Sequence, residues 1–458
     1  MKNRRRRKRQ QQRRKIGIIS TTGWIRQDVH IAVTAEPTVL PPAGKAAQPK
    51  QNRKLKWSQS AFQVKPQEGK SRFHDFDLSP GLMHGIADLN FQYCTPIQDK
   101  ALSGVIQGKD ILGRASTGTG KSAVFLIGIF QQIIRQNQGK RKNGCPRALI
   151  IAPTRELVIQ IARDARAIGK YLPLRVGEAY GGTDYQRQQN NLQNRPVDIL
   201  VATPGRLLDF SRKRVVTLRQ AAIMVIDEAD RMLDMGFIPD VRSIIHQIPN
   251  RDKRQTLMFS ATFTEDVKRL ASQWCTAPLS VETETDEVAV GTVEQIVYMT
   301  TREEKYLILY NLIKMHSGRR IMVFVNMKRD VNSLYKRLRH DRIDCTMLSG
   351  DVPQHKRTRR LENFRNGKVQ VMIATDVAGR GIHIDGISHV VNYTLPYEPE
   401  DYVHRIGRTG RAGKSGISIS FADEESSFYL MDIEEYIGEA LSCEAPAEEL
   451  LQPVTKKK

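Results

Sequence analysis

Residues Ala115 to Phe125 read ASTGTGKSAVF, and the fold is decided there. An apolar run precedes them, and AVFLIGIFQQII continues from Ala123 with Phe125, Ile129 and Ile133 at helical spacing, marking one buried face. Strand, Gly-rich turn and helix in that order make a phosphate loop. The glycines let backbone N–H groups turn toward oxygens, the helix start adds positive potential, and a Lys and a Ser complete the site. Ala115, Ser116, Thr117, Gly118, Thr119 and Gly120 form the loop, Lys121 reaches the β- and γ-phosphates, and Ser122 ligates Mg²⁺. Ala115 stands where the usual pattern has Gly.

On either side, Ile- and Val-rich runs alternate with amphipathic stretches: RALIIAP, VDILVATP, AAIMVIDEAD and QTLMFSAT. This alternation predicts a parallel sheet with helices on both faces. The segment VETETDEVAVGTVEQ breaks it and reads as a linker, after which RRIMVFVN, KVQVMIATD, ISHVVNY and SGISISFA resume it. The chain divides into a disordered basic arm (1–70), an α/β domain (71–283), a linker (284–293), a second α/β domain (294–441) without a phosphate loop, and a loose tail (442–458).

With 458 residues and 40% hydrophobic content, the chain can bury real cores, which excludes disorder throughout. Its formal charge of +23 is uneven: residues 1–70 hold 18 Lys and Arg against Asp28, Glu36 and Glu68. A polyanion is the expected partner, nucleic acid first, because cations gain affinity by releasing condensed counterions; a solubilising tail is the alternative. The run RRRRKRQQQRRK clusters its charge instead of spreading it along a helical face as a transit peptide does. No apolar run approaches the ~18 residues of a membrane span, so no membrane association is expected. The cysteines Cys94, Cys145, Cys275, Cys345 and Cys443 lack C-x-x-C pairing, which argues against a disulfide framework or zinc site and fits the reducing cytoplasm.

The acid that a phosphate loop needs lies in IMVIDEADRML. Asp227 ends an apolar run and would hold Mg²⁺ through water, while Glu228 would orient and deprotonate the attacking water. The two motifs together predict a nucleoside triphosphatase.

The tetrad Asp227-Glu228-Ala229-Asp230, with PTREL (Pro153 to Leu157), TPGR (Thr203 to Arg206), SAT (Ser260 to Thr262) and HRIGRTGR (His404 to Arg411), resembles the DEAD-box RNA helicases over about Phe73 to Phe421. The resemblance implies two tandem RecA-like domains, ATP as nucleotide and RNA as polyanion. By it, Gln98 of FQYCTPIQ hydrogen-bonds adenine and Phe73 packs against the base; Cys94 stands where many relatives have Pro. Arg408 and Arg411 match the family's arginine fingers, which reach the γ-phosphate only when the domains close and are worth roughly 10³–10⁵ in rate. Asp230, Ser260, Thr262, His404 and Arg405 match a network coupling nucleotide to RNA. RNA contacts, mostly to sugar and phosphate and so with little sequence preference, fall on Pro153, Thr154, Arg155, Gly182, Thr203, Gly205 and Arg206, and on Gln354, Arg357 and Thr375 in the second domain. In ATDVAGRGIHIDG, His383 stands where the family commonly has an Asp near the ATP ribose. A neutral imidazole still hydrogen-bonds a hydroxyl, so an altered contact and pH sensitivity are expected.

The RGIHI variant, CTPIQ and the ending SGISISFADEESSFYLMDIEEYIG are most similar to the bacterial RhlB subgroup. That likeness implies mRNA turnover in the cytoplasm, docked to the endoribonuclease of the RNA degradosome. The expected activity is RNA-dependent ATP hydrolysis with local separation of short duplexes. An ATP-dependent RNA clamp or scaffold with incidental turnover is the alternative, and a DNA-directed motor a third; Glu228 and both fingers argue against a pure scaffold. The arm's role stays open between added RNA affinity, ribosome anchoring and a dispensable extension.

Overall fold

The computed structural model describes residues 57–115, 119–136, 141–283, 293–379, 384, 386–410 and 416–454. Residues 1–56 of the arm, Ser116, Thr117 and Gly118 of the phosphate loop, 284–292 of the linker, His383 and Arg411 lie outside the described residues.

Domain 1 runs α1 (Pro80–Asp88), α2 (Pro96–Ile106), β1 (Ile111–Arg114), α3 (Lys121–Gln136), β2 (Ala148–Ile151), α4 (Arg155–Ile168), β3 (Val176–Ala179), α5 (Tyr185–Asn194), β4 (Ile199–Ala202), α6 (Pro204–Arg212), β5 (Ile223–Ile226), α7 (Ala229–Asp234), α8 (Ile238–Ile245), β6 (Gln255–Ser260), α9 (Glu265–Trp274) and β7 (Leu279–Glu282). Local chemistry sets several of these starts. Thr95 and Gln98 form a reciprocal capping box at α2, with Pro96 in the first turn. Thr154 caps α4 by accepting from Leu157 N at 3.3 Å, and Asp184 caps α5 by accepting from Arg187 N at 3.1 Å.

Domain 2 runs β8 (Val293–Met299), α10 (Lys305–Met315), β9 (Ile321–Phe324), α11 (Lys328–His340), β10 (Cys345–Leu348), α12 (Gln354–Arg365), β11 (Val371–Ala374), α13 (Asp376–Gly379), β12 (His389–Asn392), α14 (Pro399–Ile406), β13 (Gly416–Ala422), α15 (Tyr429–Ile437) and β14 (Ser442–Glu444). The first sheet has strand order β3-β4-β2-β5-β6-β1-β7 and the second β10-β11-β9-β12-β13-β8-β14. Position for position these are one permutation, so the second domain repeats the topology of the first. All pairings within the named strands are parallel.

Helices cover both faces of the sheet centres, so the central strands β2, β4, β5, β9 and β11 are apolar and buried at every position, with successive residues serving opposite cores; the edge strands β7 and β14 carry Glu and are mostly exposed. On β2, Ala148 and Ile150 join the core beneath α1 to α4, while Leu149 and Ile151 join the core beneath α6 to α9. On β9, Ile321 and Val323 meet α10 and α11, while Met322 and Phe324 meet α12.

Two expectations about the ends of the domains change. Residues 57–70, read as part of the arm, pack on domain 1: Trp57 stacks on His84 with ring centroids 4.5 Å apart, and Arg72 Nη1 donates to Val64 O at 3.1 Å. The segment from Ser442, read as a loose tail, supplies β14, the counterpart of β7, paired with β8. Beyond it Leu450 is buried against α10, and Asn311 Nδ2 donates to Leu450 O and Gln452 O, each at 2.9 Å. Three strand residues, Ser442, Cys443 and Glu444, are too few to give a periodic signal, and the pairing is supplied by β8. Among the described residues no helix is long and apolar enough to cross a membrane.

Candidate active site

Sheet order sorts the motifs. Strands β5, β6 and β1 are neighbours, so their carboxyl ends bring together the DEAD tetrad, the Ser-Ala-Thr segment and the phosphate loop. The loop is tied down where β1 ends: Ala115 N donates to Ser260 O at 3.0 Å. Strands β3, β4 and β2 form the other half, and from their ends leave the Gly181-Gly182 turn, TPGR and PTREL. Domain 2 repeats the division. Gln354 and Arg357 follow β10 and Thr375 follows β11, while His404, Arg405 and Arg408 follow β12. Binding at the carboxyl ends of strands is the rule for open α/β sheets.

A cavity of ≈ 430 Å³ opens at the first group. One end is lined by Leu89, Phe91 and Tyr93, the other by Lys121, Ser122, Asp227 and Glu228. It is apolar where a base would stack and charged where phosphates would lie. Phe73 does not line it; it is buried in the core with its ring 6.1 Å from that of Phe91, which does. Gln98 lines the cavity and has both amide ends engaged, accepting from Thr95 N at 2.9 Å and donating to Gly120 O at 3.1 Å. Thr95 Oγ1 donates to Thr119 O at 2.7 Å. The glutamine motif therefore clasps the end of the phosphate loop. Gly120, at φ 93°, leaves no room for a side chain, since a Cβ would lie 2.4 Å from Gln98 Nε2.

Lys121 is buried with Nζ 3.8 Å from Asp227 Oδ1, and among the described residues Nζ has no hydrogen-bond partner. Asp227 is 1% exposed; burial pushes its carboxyl up to about 6, against the pull of Lys121. Glu228 takes left-handed backbone, φ 55° and ψ 58°, at the start of α7. Its Oε2 lies 3.4 Å from Nη1 of Arg231, which is itself buried. Asp230 receives Ala261 N at 2.8 Å and Thr262 N at 3.1 Å, and its own N–H donates to Ser260 Oγ at 3.2 Å. Burial would raise the Asp230 carboxyl, but His404 of domain 2, Lys121 and backbone donors outweigh it and hold it below the usual range. Asp230 thus gathers Ser260 and Thr262 inside domain 1, and the charge of His404 acts on it from domain 2.

Arg405 is placed otherwise. It is 1% exposed and fully engaged inside domain 2: Nε and Nη2 grip Asp376 at 2.6 and 2.7 Å, Nη2 also reaches Asn326 Oδ1 at 2.7 Å, and Nη1 reaches Thr394 O at 2.7 Å. It fixes α14 on its sheet and ties that helix to Asp376, next to Thr375. Arg408 is buried, with Nε donating to His404 O at 3.1 Å.

In the other half, Pro153 and Thr154 open α4, with Arg155 exposed. Gly182, at φ 76°, lies so close to Arg155 that a Cβ would stand 2.0 Å from Nη1. Thr203 and Gly205 open α6, and Arg206 lies over the rings of Tyr185 and Phe210 at 5.0 and 5.5 Å. Gln354 and Arg357 turn toward domain 1. Gln354 Nε2 and Arg357 Nε both donate to Glu156 Oε1, at 3.1 and 2.8 Å. Glu156, Arg231 and Thr95 were not singled out from sequence. Thr95 carried a visible signal in its T-x-x-Q capping box; Glu156 and Arg231 are ordinary first-turn charges until the fold supplies their partners.

The DEAD/DEAH box helicase family matches residues 95–270, and the helicase conserved C-terminal domain matches 304–413. The ATP-dependent RNA helicase RhlB of Pseudomonas aeruginosa is 58% identical over 395 residues, 86% of this chain and 100% of that protein. RhlB of Xanthomonas axonopodis pv. citri is 45% identical, over 84% of this chain and 67% of its own. Among solved structures, S. cerevisiae Dbp5 bound to RNA and ADP BeF3 is similar at TM-score 0.73 and 30% identity, covering 82% of this chain and 95% of that one. Mss116p bound to ssRNA and AMP-PNP is similar at 0.74 and 26%, covering 84% and 82%. The chain belongs to the DEAD-box family of ATP-dependent RNA helicases and is similar to the bacterial RhlB helicases within it.

Proposed function

We propose that RNA switches on ATP hydrolysis by this protein through closure of its two domains, and that the closed state pries apart short duplexes locally. The division of each sheet into a nucleotide half and an RNA half carries the reading. Each ligand then meets one half-site on each domain, and only closure completes either.

At the nucleotide half, the buried ammonium of Lys121, without a hydrogen-bond partner among the described residues, is set to neutralise the β- and γ-phosphates. Gln98 and the aromatic end of the cavity take the adenine, and Gln98 passes its position to Gly120. The donor set fits Mg²⁺, which usually keeps waters and few protein ligands. Ser122 and Asp227 would hold it, and a carboxyl raised to about 6 by burial regains its charge beside a cation. Bound there, the ion would neutralise charge developing on the phosphate oxygens. Glu228 takes the proton of the attacking water. Arg408 and Arg411 arrive from domain 2, and His383 contacts the ribose.

At the RNA half, Pro153, Thr154, Arg155, Gly182, Thr203, Gly205 and Arg206 bind the sugar-phosphate backbone with Thr375, Gln354 and Arg357 of domain 2. The likeness to Dbp5 and Mss116p, whose structures hold RNA and nucleotide together, supports this division. A strand bent across both domains cannot stay paired, so separation is local. Likeness to RhlB supports a cytoplasmic role in mRNA turnover beside the degradosome endoribonuclease.

The test is ATP hydrolysis with and without single-stranded RNA. A rate raised many-fold by RNA is expected, and equal rates would refute the switch, as a scaffold would require. Capture of the endoribonuclease from lysate by the tagged chain tests the cellular role, and its repeated absence would remove that part.

A further inference from the structure

A second cavity on domain 1, of ≈ 540 Å³, is formed by the end of α6, the turn leading into β5 and the segment after α8. Helix α6 runs nine residues from Pro204, about 13 Å at 1.5 Å per residue. The cavity therefore lies at the far end of that helix from Thr203, Gly205 and Arg206. Val216, Leu218 and Ile248 are its apolar part; Arg214, Arg219 and His246 are its charged or titratable part, and none of its lining residues is acidic.

Among the described residues, the side chains of Arg214, Arg219 and His246 make no hydrogen bond or ion pair. Neighbouring cations fare differently. Lys213 pairs with Asp209 at 3.1 Å and covers the Tyr185 ring at 4.6 Å. Arg254 donates to Thr256 Oγ1, Pro249 O and Trp274 O at 3.0, 2.7 and 3.0 Å. Arg214 also takes left-handed backbone at φ 56°, an arrangement unfavourable for a residue with a side chain. It is held there by Arg214 N donating to Ser211 O and Val215 N to Phe210 O, each at 2.9 Å. Two guanidinium groups free to donate in forks, with no carboxylate among the lining residues, suit the geometry of phosphate oxygens.

We propose that this cavity is a second phosphate-binding site, separate from the ATP site. It would take a phosphate group either from a free polyphosphate-bearing small molecule or from an RNA strand continuing past the contacts at the start of α6. The RNA source rests on the proposed reading of Thr203, Gly205 and Arg206; the free-ligand source does not.

The test compares the full chain with Arg214→Gln/Arg219→Gln. Both side chains are exposed and outside the cores, and retained ATPase on an RNA of about 10 nucleotides, within the site size of a single-strand binder, reports intact folding. Tripolyphosphate is titrated with the ATP site filled by a non-hydrolysable analogue, and RNAs of about 10 and about 25 nucleotides are bound in parallel. Comparing variant with native cancels the contribution of the basic arm. Loss of about tenfold in affinity for the longer RNA alone assigns the site to flanking RNA, and the same loss for tripolyphosphate assigns it to a free ligand. Unchanged affinity for both probes overturns the proposal. If native protein shows no RNA-stimulated ATPase, the function proposed above fails, while the tripolyphosphate titration still reads the cavity.

Discussion

Glu228 occupies left-handed backbone at a cost of roughly 1–3 kcal/mol, and that turn lets the carboxylate leave the strand end while α7 begins beneath it. Replacing it by Gln keeps the shape and removes the proposed base. Glu228→Gln is expected to lower kcat by about 10²–10⁴ while ATP and RNA still bind, so the closed complex accumulates in a filter-binding assay; native turnover would rule out Glu228 as the base. Asp227 and Glu228 were legible because they end an apolar run. Arg231 was not, since a cation three residues after an acid is common on any helix; only its burial beside Glu228 distinguishes it. Phe73 shows the converse: matched spacing predicted contact with the base, but Phe73 packs behind Phe91, which lines the cavity together with Tyr93.

The helix after the phosphate loop was expected to bury one face, yet α3 buries twelve of its sixteen residues. The sheet covers one side, and α2 and α4 cover the others, so periodicity undercounts its core. Gly128 marks a close approach of α3 to α2: a Cβ there would lie 2.1 Å from Val105 Cγ1. Gly128→Ala is expected to destabilise domain 1 by about 1–3 kcal/mol through overpacking, read from the urea midpoint, and Val105→Ala in the same chain should recover part of the loss. At the start of β12, His389 is buried against His316, with ring centroids 4.1 Å apart. Burial, then His316 and Arg319, push its imidazole down to about 4. The unfolded chain therefore takes up this proton first as pH falls below about 6.5. Its contribution to stability is full above that pH and is lost as pH drops toward about 4, by up to roughly 3 kcal/mol. His389→Gln should flatten that acid limb of the stability curve, and an unchanged slope would place the titration elsewhere.

Across the whole molecule, the shared strand permutation means that one layout was used twice with different chemistry at equivalent strand ends: the DEAD tetrad after β5 is answered by the HRIGRTGR helix after β12. The two α/β units were legible from alternating runs, but their common permutation and the closing strand β14 were not, because pairing order is set by crossovers that sequence spacing does not encode. The basic arm acts at this scale too: deleting residues 1–56 should weaken RNA binding most at low salt, where released counterions contribute most, and equal loss at all salt concentrations would assign the arm another role. The junction between domains makes the sharpest demand. Glu156 of PTREL accepts from Gln354 and Arg357, and the Glu156 and Arg357 side chains are each 10% exposed. Such a pair stabilises little relative to apolar packing, but losing one partner strands the other, at about 3–5 kcal/mol. That penalty falls only on the closed state, because in an open molecule water reaches both groups. Glu156→Ala should therefore leave ATP binding without RNA unchanged while weakening RNA binding with a non-hydrolysable analogue by about 10²-fold or more. Arg357→Ala should do the same, and the double variant should be less impaired than the two losses summed. If the losses add, Glu156 and Arg357 act separately on RNA and the contact between them does not govern closure.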